Sequence, residues 1–201
     1  MAASSRKEQK EHTRELLLES ALQEFSRKGI SATTTVDIAR AAGVAHGTLF
    51  LHFPTRDDLL VRVISDFGLR IGREFKRLSR EGGGVREILR AHLDIVQEYE
   101  SFYAQLVIAG PLLPVDARND IFLIQSGIAY YLKKALARDI GEKSVRPVPV
   151  HLLLNTWIGT LNYYLANRDK FAPGQSVIAT HGQELLDYFM SNLEPFRKER
   201  E

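Results

Sequence analysis

Residues 42–53 read AGVAHGTLFLHF, and this stretch decides how the chain folds. It follows TTVDIARA, in which Ile38 and Ala39, with Ala42 beyond them, share one helical face. Gly43 can take the positive φ of a tight turn. Apolar spacing resumes at once, with Leu49 and Phe53 pointing inward, and Pro54 stops the second helix because the residue before a proline avoids helical geometry. Two helices joined by so short a turn, with the small Ala39 at their contact, form a helix-turn-helix. Ile38, Val44, Leu49 and Phe53 are the anchors. Ala45, His46, Thr48, Leu51 and His52 are then left toward solvent, where a short helix enters a major groove and presents its first residues to base edges.

Upstream, TRELLLESALQEFSRKG places Leu18, Ala21, Leu22 and Phe25 at helical spacing, and Lys28 and Gly29 mark its end. Residues 1–11 are polar and of mixed charge, which suggests a flexible arm. Thr34 with Asp37, and Thr55 with Asp58, have the spacing of reciprocal helix caps. Thr55 opens a helix to Arg80, about 26 residues and roughly 39 Å long, in which Gly68 and Gly72 permit bending or close packing. Three glycines at 82–84 break it. Further helices are expected at about 85–100, 102–109, 116–139, 149–168 and 175–196, separated by GPLLP, GEKSVRPVP and RDKFAPGQ. No segment alternates as a strand would, so the fold class is all-α.

The 201 residues are 44% hydrophobic and 26% charged, with a formal net charge of only +2. The excess is unevenly placed: residues 1–80 hold 14 Lys and Arg against 10 Asp and Glu, and the remainder 13 against 15. A basic N-terminal part suits a nucleic-acid-facing module. There is no cysteine, which removes disulfides, Cys-zinc sites and Cys nucleophiles. With no signal-peptide core and no apolar run near the roughly 20 residues a membrane helix needs, a soluble cytoplasmic protein is expected. His46 and His52 are six apart, about 600° around a helix, and so face different sides. His92, His151 and His181 are isolated, so no metal is expected. P-loop, GxSxG and HExxH patterns are missing, which argues against an enzyme and against a cofactor. A helical enzyme or small-molecule carrier with an incidental helix-turn-helix, and a protein-binding adaptor, are the rival readings. Salt-dependent DNA binding separates the adaptor from the DNA reader.

TTTVDIARAAGVAHGTLFLHFPTRDDLL resembles the DNA-binding segment of the TetR/AcrR family of bacterial transcription regulators, and the resemblance runs from residue 13 to about 62. It departs where the family commonly has Ser, here Ala45, and Tyr, here Phe50, losing a hydroxyl at each. The resemblance implies a three-helix helix-turn-helix domain over 12–56, extending into the fourth helix to about 70, and a ligand-binding and dimerisation domain over 57–201. It implies a ligand-responsive regulator, most often a repressor, whose homodimer binds a near-palindromic double-stranded DNA operator and responds to a small apolar or amphipathic molecule. Thr34 and Thr35, at a helix N-terminus, are expected at phosphates. Ala45, His46, Gly47, Thr48 and Phe50 are expected on or beside the bases, and His52 and Arg56 at phosphates, with Arg14 a weaker candidate. For the sensor, Phe67, Tyr99, Phe102 and Tyr103 are candidate pocket residues, with Phe122, Gln125 and Trp157. His92 and Asn155 are further polar candidates. The implied dimer seam is Trp157, Leu161 and Tyr164 on one long helix and Ile178, Leu185, Leu186 and Phe189 on the last.

Overall fold

The computed structural model describes residues 2–195, with side chains from residue 6 onward. The helices are α1 (Ala2–Lys28), α2 (Thr35–Ala41), α3 (His46–His52), α4 (Arg56–Glu81), α5 (Val85–Glu98), α6 (Glu100–Ala109), α7 (Val115–Gly141), α8 (Val150–Ala166), α9 (Arg168–Phe171) and α10 (Val177–Ser191), with a 3-10 turn at Gly110–Leu112. Among the described residues there is no strand. The last helix stops at Ser191, short of the expected 196, which lies outside the described residues.

The segment expected to be an arm is helical from Ala2. It contains no glycine or proline, and its straight-chain Lys, Gln and Glu residues favour a helix. The buried stripe of α1 is Leu17, Ala21 and Phe25, each 0% exposed, while Leu18 and Leu22 are half-buried flanks. The expected stripe is out of phase because Leu16, Leu17 and Leu18 are equally apolar and the pattern alone does not choose among them.

Two compact units divide the chain. The first holds the residues up to Phe67 together with Ser101–Ile121, and the second Gly68–Glu100 with Phe122–Glu201. The boundary therefore falls inside α4, and most of α6 belongs with the N-terminal helices, which the linear order of the sequence does not suggest. Within the first unit, Gly29 turns at φ +90° under the Gln105 side chain, and Phe67 lies against Tyr103 at 5.8 Å between ring centroids.

In the second unit the glycine loop is held from α7. Asp139, 8% exposed, accepts from Val85 N at 2.9 Å, and Arg138 donates to Gly83 O at 2.9 Å. The Glu100 carboxylate caps α10, accepting from Val177 N at 2.8 Å and Ile178 N at 3.2 Å, where a helix start favours negative charge. Trp157 and His92 are both buried in this core.

The two α4 glycines separate cleanly. A Cβ on Gly68 would stand 2.4 Å from Ile124 Cγ1, whereas one on Gly72 meets nothing within 4 Å. Gly68→Ala is expected to destabilise by about 1–3 kcal/mol through overpacking. Gly72→Ala is expected to stabilise by up to about 1 kcal/mol, because alanine loses less backbone freedom in a helix. Urea unfolding of the two variants checks the opposite signs.

Candidate nucleic-acid interface

Three local devices make the helix-turn-helix rigid. At the start of α2, Thr34 accepts from Asp37 N at 3.2 Å while Asp37 accepts from Thr34 N at 3.0 Å. Lys28 reaches the same carboxylate at 2.6 Å, tying α1 to α2, and Lys28 and Thr34 together hold the Asp37 carboxyl far below the usual carboxylate range. At the turn, Gly43 has φ +67° and Val44 N donates to Ala39 O at 3.0 Å. Ile38 and Leu49 are 0% exposed and Phe53 is 3% exposed, so both helices are pinned from beneath.

With those anchors spent, α3 turns His46, Gly47, Phe50 and Leu51 outward, and Thr48 is half-buried. Leu51 is 77% exposed and Phe50 44%, an unusual pair to leave in water and suited to contact with thymine methyls and sugars. His46 Nε2 lies 2.9 Å from Thr35 Oγ1 and its ring meets the Phe50 ring edge-on at 5.1 Å. Thr35, His46 and Phe50 are thus one connected surface built from two helices. Ala45 is the N-cap of α3 and offers no side-chain cap. The first turn of α3 therefore keeps N–H groups that its own cap does not satisfy. A Cβ on Gly47 would meet nothing within 4 Å, which leaves the helix backbone open to close approach.

At the other end of α3, His52 is half-buried and its Nδ1 is enclosed without a hydrogen-bond partner. Burial, then Lys10 and Arg14, push its pKa below the ordinary histidine value. Arg56 corrects an expectation. Its Nε donates to Thr33 O at 2.8 Å, its Nη2 donates to Ile30 O, and its guanidinium lies over Phe25. The side chain braces the loop before α2 and is not available as a free phosphate contact. The loop carbonyls outcompete solvent because they sit beside an aromatic face that the guanidinium also covers.

The pocket candidates fall in both units: Phe67, Phe102 and Tyr103 in the first, Tyr99, Phe122, Gln125 and Trp157 in the second. Phe102 is 0% exposed, and burial pushes the Tyr103 hydroxyl up to about 12. Tyr99 lies beneath Arg70, whose Nη1 donates to its hydroxyl at 3.2 Å. Gln125 is half-buried. Phe122 is 68% exposed and is a surface residue, not a pocket wall. Two grooves in the second unit, one at the glycine loop and one between α4 and α5, are lined by none of these seven residues.

The seam residues are corrected more broadly. Trp157, Leu161, Ile178, Leu185 and Leu186 are at most 9% exposed within a single chain, so they offer a partner almost no surface. Tyr164 stacks on Phe171 at 4.4 Å, and Phe189 packs against Trp157 at 5.2 Å. The periodicity visible in the sequence is that of the chain's own core. The outer face of α8 carries Leu152, Thr156, Gly159 and Tyr163, and that of α10 carries Tyr188.

The sequence profile of bacterial regulatory proteins of the tetR family matches residues 17–63, the segment that builds this turn. The chain belongs to the TetR family. It is a DNA-binding transcriptional regulator. Its likeness to other members extends beyond that segment: it is 27% identical over 185 residues to the transcriptional regulator RutR of Escherichia coli, covering 88% of this chain and 82% of RutR. A TetR-family regulator from Agrobacterium tumefaciens shares the fold with a TM-score of 0.76 at 15% identity, over 92% of this chain and all of that one. FadR of Bacillus subtilis, solved in complex with stearoyl-CoA, shares it with a TM-score of 0.68 at 19% identity, over 89% of this chain and 98% of FadR. Among the described residues the regular structure is all helical, and no helix is long and apolar enough to cross a membrane.

Proposed function

We propose that this TetR-family regulator is a homodimeric repressor that holds a near-palindromic operator and releases it when a small apolar or amphipathic molecule binds the C-terminal part. The observation that carries the DNA half of this reading is the surface formed by Thr35, His46 and Phe50 on a rigidly anchored turn. Two such heads related by a twofold axis meet successive major grooves about one helical turn, roughly 34 Å, apart. A duplex with two inverted half-sites matches that symmetry.

The outer face of α8 supports dimerisation. Leu152, Thr156, Gly159 and Tyr163 recur at the four- and three-residue spacing of a helix seam, Leu152 is 52% and Tyr163 61% exposed, and Gly159 leaves space for a close approach. For the effector, the support is the fold shared with FadR, which was solved holding stearoyl-CoA. The carboxyl-terminal unit is the region assigned to it.

His46→Ala and Thr48→Ala are expected to weaken binding to the selected operator by roughly fivefold to over a hundredfold each, as loss of a base contact worth about 1–3 kcal/mol requires. The helical spectrum and dimer should be unchanged. Equal operator affinity of both variants and the wild type at fixed salt would remove the base-reading role of α3.

A further inference from the structure

Because α1 is helical from Ala2, its N-terminal charges have fixed directions. Lys7, Lys10 and Arg14 lie at i, i+3 and i+7 and therefore on one side of the helix. That side is the continuation of the buried stripe: stepping back from Phe25 through Ala21 and Leu17, the same face next presents Arg14, Lys10 and Lys7. The apolar face thus turns basic where the helix runs past the core it packs on. Lys7 and Lys10 are exposed and have no ion-pair partner among the described residues. Arg14 lays its guanidinium over Phe53, 5.2 Å from the ring centroid, and meets Glu11 only at 3.8 Å.

This basic side ends against the DNA-reading helix. His52 closes α3, and Lys10, Arg14 and Glu11 are the charged groups that act on its ring. The three cations repel one another, and a phosphate strand laid along them would relieve that repulsion. The side chains from Arg14 to Lys7 cover about 10 Å of helix, enough to follow such a strand beyond the bases that α3 reads.

We propose that Lys7, Lys10 and Arg14 form a ridge that grips the phosphate backbone flanking each half-site. The ridge rests on the DNA-binding reading above and adds to it the length of duplex each head covers. The occupant is DNA because the ridge is continuous with the α3 surface and because the exposed Lys7 and Lys10, with the half-buried Arg14 beside them, complement a phosphate strand.

The test uses the full chain and duplexes selected from a random pool by the wild type, carrying long or trimmed flanks. Lys7→Gln/Lys10→Gln removes two charges without breaking the helix. The plot of log affinity against log salt should become shallower by about 0.9 for each phosphate no longer neutralised, hence by roughly two per head, with base preference unchanged. Trimming the flanks should weaken the wild type clearly more than the double variant, which keeps only Arg14 of the ridge. A double variant with the wild-type slope and the wild-type sensitivity to flank length would overturn the ridge while leaving the regulator reading in place. A wild type that selects no DNA would overturn both. Binding of the wild type to vesicles of anionic lipid, abolished in the variant while the DNA slope stays the same, would overturn the ridge in favour of a membrane surface.

Discussion

Lowering the pH from 7 to 4 is expected to remove roughly 3 kcal/mol of stability through His92 alone. Trp157 Nε1 donates to His92 Nδ1 at 3.0 Å, so the imidazole accepts at Nδ1 and carries its proton on Nε2. His92 is 1% exposed, its ring faces Phe75 and Trp157, and burial lowers its pKa to about 4. A second proton would land on Nδ1, break the tryptophan bond and bury a charge with no anion beside it. The folded-state pKa lies below the unfolded value of about 6.5, so the unfolded chain binds more protons between the two. Stability is therefore full above about 6.5, falls as pH drops through that value, and levels off near 4. His52 is shifted in the same direction and adds to the slope, whereas the lowered carboxylates Glu24, Asp37, Glu74 and Asp187 act at more acid pH. Trp157 is the sole tryptophan, so its fluorescence during urea unfolding reports this pair directly. His92→Gln should be less stable at pH 7 and show a clearly smaller loss between pH 6.5 and 4. An equal loss in variant and wild type would mean that His92 is not the titrating group.

The helix-turn-helix is legible in the sequence because its constraints are local. A capping pair three residues apart, a glycine that takes positive φ and a proline stop act within a few residues, and Thr34, Asp37, Gly43 and Pro54 stand where those roles require. Arg56 is illegible for the opposite reason. Its acceptors, Ile30 O and Thr33 O, lie more than twenty residues away in the chain, and a surface arginine beside a DNA-reading helix looks the same in sequence whether it is free or folded back. The C-terminal helices show a further limit. In α8, Leu153, Trp157, Leu161 and Leu165 form one apolar face and Leu152 and Tyr163 part of another, so composition reveals two sticky faces without saying which is internal. The pairing of Trp157 with His92 settles the direction, and it joins residues 65 apart. Pocket residues are hardest to read, since an aromatic side chain such as Phe102 has the same periodicity in a core as in a binding wall. In the N-terminal segment polarity is a poor guide to flexibility, because Lys, Gln and Glu are helix-forming as well as polar.

Introducing a carboxylate on the outer face of α8 is expected to split the proposed dimer and leave the protomer folded. Tyr163 is 61% exposed in the single chain, so Tyr163→Glu disturbs no internal packing of comparable size and loses mainly its ring contacts to Tyr164 and Phe171. In an isologous twofold interface each substitution appears twice. An unpaired charge buried in such a seam costs several kcal/mol, so the dissociation constant should rise on the order of a thousandfold or more. Leu152→Glu should act in the same sense. Leu186→Glu, by contrast, places the carboxylate at a position 0% exposed within one chain, and it should unfold the C-terminal unit before any question of assembly arises. Sedimentation read beside the far-ultraviolet helical signal separates these outcomes. Tyr163→Glu should sediment as a helical monomer at concentrations where the wild type is a dimer, and Leu186→Glu should lose helix content. A Tyr163→Glu protein that remains dimeric across the micromolar range would move the interface off α8, and a monomeric wild type would remove it altogether. Because two half-sites are gripped together only by a dimer, loss of assembly should also reduce operator binding to that of a single head, an affinity loss that exceeds the effect of either α3 substitution.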